Sequence, residues 1–177
     1  FEDLIRQNTI SQTLSLAVDS KRLSHAYLFS GLRGSGKTST ARIMAKALLC
    51  QNGPTSHPCE VCENCLSAKV FIMDEVHMLT TQAFNALLKT LEEPPAFVKF
   101  ILATTDALKL PATILSRTQH FRFNKISQSD VVHHLSHILN IENIEFEKDA
   151  LEILARSGQG SLRDTLTLLD QAIIFSK

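Results

Sequence analysis

The sequence contains no tryptophan, one tyrosine, five prolines and six glycines among its 177 residues, and it has no excess of charge of either sign. Because 18 basic residues balance 18 acidic ones, overall charge does not attract the chain to nucleic acid or to a membrane. No apolar run approaches the length of a membrane span, and the N-terminus has no signal-peptide pattern. We therefore expect a cytoplasmic protein without membrane contact, whose DNA contacts, where present, come from a local patch or an assembly of chains.

Composition supports a folded protein of one or two domains. Hydrophobic residues make up 44% of the chain and charged residues 20%, which excludes wholesale disorder. Strand and helix patterns alternate up to residue 123, and only helix patterns follow from residue 124. We therefore predict an α/β domain over residues 1–123, with a parallel sheet flanked by helices, and a small all-helical domain over residues 124–177.

All the cysteines of the chain fall within sixteen residues, as Cys50, Cys59, Cys62 and Cys65. Thiols stay reduced in the cytoplasm, which favours metal binding over disulfides. Two overlapping CxxC pairs with a fourth cysteine nearby suit tetrahedral Zn²⁺, and a closed four-thiolate site is structural because no position remains for water. The sequence predicts a zinc module inserted at residues 50–66, and the alternative is four unrelated buried cysteines.

A glycine-rich segment, GLRGSGKT at residues 31–38, matches the P-loop pattern. The preceding run at 25–30 predicts a buried strand and the following one at 39–49 a helix, whose N-terminus would face the phosphates. Lys37 is predicted to reach the β- and γ-phosphates, and the Thr38 hydroxyl to ligate Mg²⁺. The alternative is an accidental glycine-rich turn. The other residues predicted to bind the nucleotide here are Gly31, Gly34, Ser35, Gly36 and Ser39.

Two further strands are predicted to carry residues toward the phosphates. The apolar run at 70–73 predicts a central parallel strand buried on both faces. Asp74 at its end would hold Mg²⁺ and Glu75 would orient the attacking water, because ligands bind at the carboxyl ends of such strands. A strand at 98–105 ends in two hydroxyls, and Thr105 or Thr104 could bond the γ-phosphate or the water. The alternative for these threonines is an ordinary turn at the strand end.

The passage from the cysteines into the strand at 70–73 is abrupt. A nucleotide-binding sheet normally accommodates another strand and helix at this point, and the intervening residues have no turn chemistry. We expect residues to be missing from the sequence near Ala68–Lys69.

The last predicted helix begins after the Ser161-x-x-Asp164 capping pattern and carries Arg163 in its first turn. A cation is disfavoured there because the N-terminus of a helix carries partial positive charge. Taken alone, Arg163 is therefore either a ligand-binding residue or a plain surface arginine.

Several of these stretches together resemble the AAA+ ATPases and, more closely, the motor subunits of bacterial clamp loaders. The cysteine module and the Ser-Arg motif are specific to clamp-loader subunits rather than to AAA+ proteins in general. The resemblance covers essentially the whole chain. The motifs that carry it are HAYLFSG at 25–31, the P-loop, the four cysteines, DEVHML at 74–79, FNALLKTLEEPP at 84–95, LATTD at 102–106, ILSR at 114–117 and GSLRD at 160–164.

The resemblance implies roles for individual residues. Lys37 and Thr38 fall in Walker A, and Asp74 and Glu75 fall in Walker B. Thr105 falls at sensor 1, Arg163 at sensor 2, and Arg117 at the arginine finger that acts on ATP bound by the neighbouring subunit.

The sequence departs from the family pattern in three places. The family usually has cysteine after the finger arginine, where this chain has Thr118. It also carries a strand and a helix before Walker B and a collar domain after the helical lid. From this comparison we expect a motor fragment that binds ATP, hydrolyses it poorly and does not assemble alone.

The resemblance implies an ATP-hydrolysing motor subunit that loads the sliding clamp onto primed DNA during replication. The implied cofactors are ATP, Mg²⁺ and Zn²⁺, and the implied partners are other clamp-loader subunits, the clamp, primer-template DNA and the replicative polymerase. A polymerase active site is not expected, because no separate pair of metal-binding carboxylates fits nucleotidyl transfer.

Two other functions remain to be weighed. A non-hydrolysing structural subunit of the same assembly is disfavoured by intact Lys37, Thr38, Asp74 and Glu75. Another P-loop module, such as a helicase or kinase, is disfavoured by the helical lid and the cysteine module.

Overall fold

The computed structural model describes residues 7–59, 61–66, 70–95 and 98–175. Two short 3₁₀ segments, Val76–Met78 and Ala107–Lys109, follow the second and third strands. The strands are β1 Ala26–Gly31, β2 Phe71–Met73, β3 Phe100–Thr104 and β4 Gln119–Phe123. The helices are α1 Asn8–Asp19, α2 Lys37–Leu49, α3 Glu63–Leu66, α4 Thr81–Glu92, α5 Ala112–Leu115, α6 Gln128–Ile141, α7 Lys148–Ser157 and α8 Leu162–Phe175.

The described part of the chain forms two compact units. The first comprises the described residues up to Gly31 and those from Lys37 to Phe123, and contains the sheet. The second comprises Leu32–Gly36 and the described residues from Asn124 onward, so most of the P-loop groups with the helices that follow the sheet. Within the second unit α6 packs on α7 and α7 on α8. Its buried side chains include Val131, Leu135, Leu139, Leu151, Ala155 and Leu169.

The four strands form one parallel sheet in the order β2-β3-β1-β4. Parallel pairing places all four carboxyl ends at the same edge. Tyr27 aligns with Ile101 on one side and with Gln119 on the other. Residues that follow β1, β2 and β3 therefore come together although they lie far apart in the sequence.

Helices cover both faces of this sheet, which confirms the α/β fold predicted from the sequence. Because strand side chains alternate between faces, Tyr27 and Phe29 join one core and Ala26 and Leu28 the other. On the first face Phe29 meets Phe121 edge-on at a ring-centroid distance of 5.9 Å. That core includes side chains of α1 and α2, and the second includes side chains of α4 and α5.

The predicted position of β2 in the centre of the sheet is wrong. Among the described residues β2 pairs only with β3, and Phe71 remains 60% exposed. The predicted burial on both faces is reached only in part, because Ile72 packs on the first core and Met73 on the second while both stay partly exposed. An apolar run indicates that both faces of a strand are covered by other elements. It does not indicate which strands pair with its two edges, so it does not fix the position of the strand in the sheet.

Three helices begin at a hydroxyl cap, including the one predicted at Ser161. The hydroxyl oxygens of Thr80, Ser127 and Ser161 accept hydrogen bonds from backbone N–H groups three residues later, at 3.3 Å in each case. The suspected gap near Ala68–Lys69 lies outside the described residues. No helix in the described ranges is long and apolar enough to cross a membrane.

Candidate nucleotide site and cysteine cluster

The P-loop connects β1 to α2 through two glycines in the left-handed region. Gly36 has φ +97°, a backbone conformation that is strained for any residue with a Cβ. No atom lies within 4 Å of the position that a Cβ would occupy, so the requirement for glycine comes from the backbone and not from a clash. Gly34 has φ +75°, and a Cβ there would clash with the Ser161 hydroxyl. The Leu162 N–H donates to the Gly34 carbonyl oxygen at 3.3 Å, so the start of α8 lies against this part of the loop.

Lys37 is the first residue of α2 and is 5% exposed. Its ammonium group donates to the Gly31 carbonyl oxygen at 2.7 Å, which folds the side chain back along the loop. Ser35 is 2% exposed, and its hydroxyl has no hydrogen-bond partner among the described residues. Ser39 is exposed in the first turn of α2.

The two residues predicted to ligate Mg²⁺ lie together. The Thr38 hydroxyl donates to Asp74 Oδ2 at 2.9 Å, and Asp74 Oδ1 accepts from the Glu75 N–H at 2.9 Å. Octahedral Mg²⁺ with oxygen ligands at about 2.05 Å places adjacent ligands about 2.9 Å apart. The separation of Thr38 Oγ1 and Asp74 Oδ2 therefore fits one edge of a Mg²⁺ coordination shell.

Glu75 reaches the end of the neighbouring strand. The sheet brings residues 75 and 105 together because β2 pairs with β3. Glu75 Oε2 accepts from the Thr105 hydroxyl at 2.9 Å and from the Thr105 N–H at 3.2 Å. Of the two threonines left open by the sequence, Thr105 is the exposed one, whereas Thr104 is fully buried.

Sequence reasoning missed His77, which lies between these groups. Its Nδ1 is 2.8 Å from Thr104 Oγ1 and 3.3 Å from Glu75 Oε2. A histidine three positions after a strand-end aspartate gives no signal of its own, because its neighbours depend on the pairing of β2 with β3.

Arg117 follows α5, and its guanidinium is held by neighbouring groups. It donates to Glu92 Oε1 at 2.8 Å and to the Thr113 carbonyl oxygen at 3.1 Å. It lines an open cavity of about 620 Å³ together with His25, whose Nε2 is buried without a partner among the described residues. The charge partner Glu92 was not predicted from the sequence.

Arg163 is the second residue of α8 and is exposed. It directly follows Leu162, which is the residue bonded to Gly34 of the P-loop. The sequence-predicted sensor 2 residue is therefore one position from a P-loop contact within the second unit.

The four cysteine sulfurs lie within 4.8 Å of one another, and all four thiols are free. Cys59 Sγ is 3.7 Å from Cys50 Sγ and 3.9 Å from Cys65 Sγ. A tetrahedral site with Zn–S bonds of about 2.3 Å has sulfurs about 3.8 Å apart. The cluster thus has the ligand set and spacing of a four-thiolate zinc site, and a disulfide would need sulfurs about 2 Å apart.

Backbone hydrogen bonds favour the thiolate form in this cluster. N–H groups of Gln51 and Cys65 lower the pKa of Cys62 to about 6. The module is also tied to α1, because the Ser56 N–H donates to Asp19 Oδ1 at 2.8 Å, and this bond lowers the pKa of Asp19. Thiolates are the form that coordinates a metal.

Two protein families match the chain. Residues 130–177 match the family described as DNA polymerase III clamp loader subunit, ATPase lid domain. Residues 6–69 and 66–127 match, in two segments, the family described as DNA polymerase III, delta subunit. Each unit of the structure is therefore covered by a clamp-loader family.

Individual relatives agree with these matches. The DNA polymerase III subunit tau/gamma of Haemophilus influenzae is 46% identical over 98% of this chain and 31% of its own length. The corresponding tau subunit of Bacillus subtilis is 43% identical over 99% of this chain and 38% of its own length. The chain spans about a third of the length of these curated relatives.

The alignments bear on the suspected gap in the sequence. The Haemophilus alignment runs over 211 positions, whereas 98% of the 177 residues is about 173, which leaves about 38 positions opposite gaps in this chain. The delta-subunit match also breaks between residues 66 and 69. The alignment length does not locate these positions, whereas the two delta-subunit segments meet at the place expected, and the interruption at 68–69 stays a prediction.

A solved structure supports the fold. A variant of Thermotoga maritima RuvB superposes with a TM-score of 0.71 at 20% identity, covering 94% of this chain and 61% of that one. Since residues 6–127 match a DNA polymerase III subunit family and residues 130–177 match a clamp-loader lid family, the chain belongs to the DNA polymerase III clamp-loader subunits.

Proposed function

We propose that this chain is the ATP-binding and ATP-hydrolysing motor of a clamp-loader subunit. The observation that carries the proposal is the joining of Thr38 to Asp74 and of Glu75 to Thr105 at one edge of the sheet. These pairs bring metal-binding oxygens and a water-orienting carboxylate beside a P-loop, which are the groups that phosphoryl transfer to water requires.

Each residue has a distinct task in this proposal. The backbone N–H groups of residues 34–39 bind the phosphates, and the Lys37 ammonium moves from the Gly31 carbonyl oxygen to the β- and γ-phosphates. Thr38 and Asp74 hold Mg²⁺, and Glu75 orients the attacking water. Bound Mg²⁺–ATP supplies the transferable phosphoryl group and the metal charge.

Two arginines of this chain have proposed roles at two different nucleotides. Arg117 would act on ATP held by the neighbouring subunit. Its planar guanidinium can form two parallel hydrogen bonds with a phosphate group, and Glu92 already orients it. Arg163 would contact the nucleotide of its own subunit as sensor 2, which fits its position beside the residue bonded to Gly34.

The cysteine cluster is proposed as a structural zinc site with Cys50, Cys59, Cys62 and Cys65 as ligands. Two observations support this proposal. The four sulfurs have the spacing of a tetrahedral site, and among the described residues the group of possible metal ligands at this place consists of these four cysteines. Zn²⁺ would then order the inserted module of residues 50–66 rather than take part in catalysis.

The proposed partners follow from the family. The relatives are DNA polymerase III subunits, and we propose that this chain acts with other clamp-loader subunits, the sliding clamp, primer-template DNA and the replicative polymerase in the cytoplasm. Because the overall charge is balanced, DNA binding would depend on a local basic patch or on the assembled complex.

A non-hydrolysing structural subunit is the main alternative, because one matched family is the delta subunit. The presence of Glu75, bonded to Thr105 at the end of β3, favours the hydrolysing form. A structural subunit has no requirement for a carboxylate at this position.

Two substitutions test the proposal. Lys37→Ala should abolish nucleotide binding, because it removes the cation that contacts ground-state phosphates. Glu75→Gln should retain binding and lower turnover by about 10²–10⁴-fold, because the amide cannot take a proton from water. Binding is measured by titration with a fluorescent ATP analogue, and turnover by phosphate release in the assembled complex.

Lys89→Ala and Glu93→Gln, at exposed positions of α4 and its end, serve as matched controls and should leave both quantities unchanged. Equal loss of nucleotide binding in Lys37→Ala and Glu75→Gln would contradict the assignment of the two roles.

A further inference from the structure

The peptide group between Gly34 and Ser35 is held on both sides. Its carbonyl oxygen, on Gly34, accepts from the Leu162 N–H at 3.3 Å, and its N–H, on Ser35, donates to the Leu32 carbonyl oxygen at 3.3 Å. The C=O and N–H of a trans peptide point in opposite directions, so the two bonds together set the orientation of the peptide plane. The loop and Leu162 belong to the same compact unit.

Glycine at position 34 does not fix this plane by itself. Because glycine populates positive and negative φ about equally, the φ of +75° at Gly34 has to be maintained by neighbouring groups. A Cβ on Gly34 would clash with the Ser161 hydroxyl, so the Ser161 side chain covers the open side of the glycine. Two consecutive residues at the start of α8, Ser161 and Leu162, therefore contact this part of the P-loop.

The start of α8 is well anchored within its own unit. Ser161 is 4% exposed, its N–H donates to the Gly158 carbonyl oxygen at 2.8 Å, and its carbonyl oxygen accepts from the Thr165 N–H at 3.1 Å. The hydroxyl of the fully buried Thr165 donates to the same oxygen at 2.9 Å. These bonds fix Ser161 and, with it, the direction of the Leu162 N–H.

The position of Leu162 in the helix explains why its N–H can bond the loop. Ser161 is the N-terminal cap, since its hydroxyl accepts from the Asp164 N–H at 3.3 Å. Leu162 is the first residue of α8, and the N–H groups of the first turn have no acceptor within a helix. The Gly34 carbonyl oxygen supplies the acceptor that the helix itself does not provide.

We propose that the first turn of α8 positions the P-loop for nucleotide binding, with the Leu162 N–H keeping the Gly34–Ser35 peptide in the orientation that the phosphates require. The proposal rests on the proposed ATP-binding function. It assigns α8 a task that its main chain performs, separate from the contact proposed for the Arg163 side chain. A peptide that is already oriented does not have to be ordered when the phosphates arrive, which favours binding.

Proline at position 162 tests the role of the N–H. Leu162→Pro removes the donor at the first position of a helix, where proline is favoured. Leu162→Ala removes the same side chain and keeps the N–H. On the complete subunit, Leu162→Pro should bind fluorescent analogues of ATP and of ADP about 3–10-fold more weakly than Leu162→Ala, because one hydrogen bond is lost. Both analogues should be affected alike, because a P-loop cradles the phosphates that they share.

The start of α6 provides a matched control. It has the same capping pattern, in which the Ser127 hydroxyl accepts from the Asp130 N–H at 3.3 Å, and Gln128 is the first residue of the helix. Gln128→Pro should leave the affinity for both analogues unchanged, because the Gly34 carbonyl oxygen is bonded to α8 and not to α6.

Hydrogen exchange gives a second readout that does not depend on affinity. Without nucleotide, the Ser35 amide should exchange about 3–10-fold faster in Leu162→Pro than in Leu162→Ala, because its peptide has lost one of two bonds. In the wild-type subunit, nucleotide should slow exchange of the Leu162 amide and leave that of Gln128 unchanged, since coupling between two interactions is reciprocal. The wild-type measurement decides the question even if Leu162→Pro folds poorly.

The outcomes separate this proposal from the one on which it rests. Equal affinities of Leu162→Pro and Leu162→Ala, an equal loss in Gln128→Pro, or a Leu162 amide that nucleotide does not protect would overturn the positioning role. A wild-type subunit that binds neither analogue would contradict the proposed ATP-binding function, and the role of α8 would fail with it.

Discussion

At the nucleotide edge of the sheet, Thr38 bonds Asp74 across 36 positions of sequence and Glu75 bonds Thr105 across 30. In the cysteine cluster, by contrast, all four sulfurs come from one segment of sixteen residues. In the first group Thr105 follows the fully buried strand β3, and Asp74 and Glu75 follow the short edge strand β2, which pairs with β3. Around the second, the described residues provide the short helix α3, which packs on α2, a few backbone bonds and the Ser56–Asp19 hydrogen bond.

The difference indicates where each site obtains its order. Parallel strands fix the positions of residues 74, 75 and 105 whether or not a ligand is bound, so the nucleotide edge is preorganised by the core. A segment of sixteen residues buries too little apolar surface to order itself, and a bound metal ion provides what the core does not. Loss of the metal ion should therefore disorder the cysteine cluster and leave the nucleotide edge of the sheet intact.

Removal of metal from the cysteine cluster should give the largest effect. In zinc-finger peptides the bound ion contributes about 10–16 kcal/mol to folding, so chelation should unfold residues 50–66 locally. The sheet should keep its melting temperature and its affinity for nucleotide, because the module is an insertion after α2. Hydrogen exchange measured by mass spectrometry resolves the two regions.

Metal analysis of protein purified without added zinc should find one ion per chain. No zinc, or a disulfide among Cys50, Cys59, Cys62 and Cys65, would show that the cluster is not a metal site. Loss of nucleotide binding on chelation would break the contrast between the two regions.

Substitution of Arg117 should give the next largest effect, at a site assembled from α4 and α5. In the assembled complex, Arg117→Ala should lower turnover at the adjacent subunit by roughly 10³–10⁵-fold, while the affinity of its own subunit for ATP stays unchanged. Arg117→Lys should not restore the rate, since an ammonium lacks the planar fork.

Mixing Arg117→Ala subunits with Lys37→Ala subunits identifies which site depends on the arginine. Weaker ATP binding in the isolated Arg117→Ala chain would mean that the residue acts within its own subunit. Glu92→Gln is the companion variant, and a smaller loss of turnover is expected because it removes only the ion pair at 2.8 Å.

The smallest effect is expected at the link between α1 and the cysteine module. Asp19→Ala removes the acceptor of the Ser56 N–H, whereas Asp19→Asn keeps a neutral acceptor. Exchange of the Ser56 amide should speed up in the alanine variant and much less in the asparagine variant, with nucleotide affinity unchanged in both.

The same link predicts a direction with pH. The Ser56 N–H lowers the pKa of Asp19, so the link is at full strength above the ordinary aspartate pKa and is lost as pH falls through the lowered value. Ser56 amide exchange that is equal in wild type and Asp19→Ala would show that the bond contributes nothing to the order of the module.

Much of the architecture was predictable because the determining signals are local. The P-loop spacing, the apolar strand runs and the caps at Thr80, Ser127 and Ser161 each depend on a few consecutive residues. The sequence also places the Walker B and sensor 1 residues directly after predicted strands. Parallel pairing of those strands then brings the residues to the same edge of the sheet. The strand pattern alone did not distinguish Thr104 from Thr105, because that choice depends on which hydroxyl points into the core, and only the family resemblance favoured Thr105.

What the sequence by itself determined is the set of chemical groups: a phosphate-binding loop, two acids after a strand, four thiolates and an arginine in a Ser-Arg motif. Only the tertiary structure decided which of these groups touch. The edge position of β2, the hydrogen bond between His77 and Thr104 and the pairing of Glu92 with Arg117 depend on strand order and on contacts of about 3 Å between distant residues. Periodicity and spacing record which side of an element is buried, but they carry no information on the neighbour that buries it.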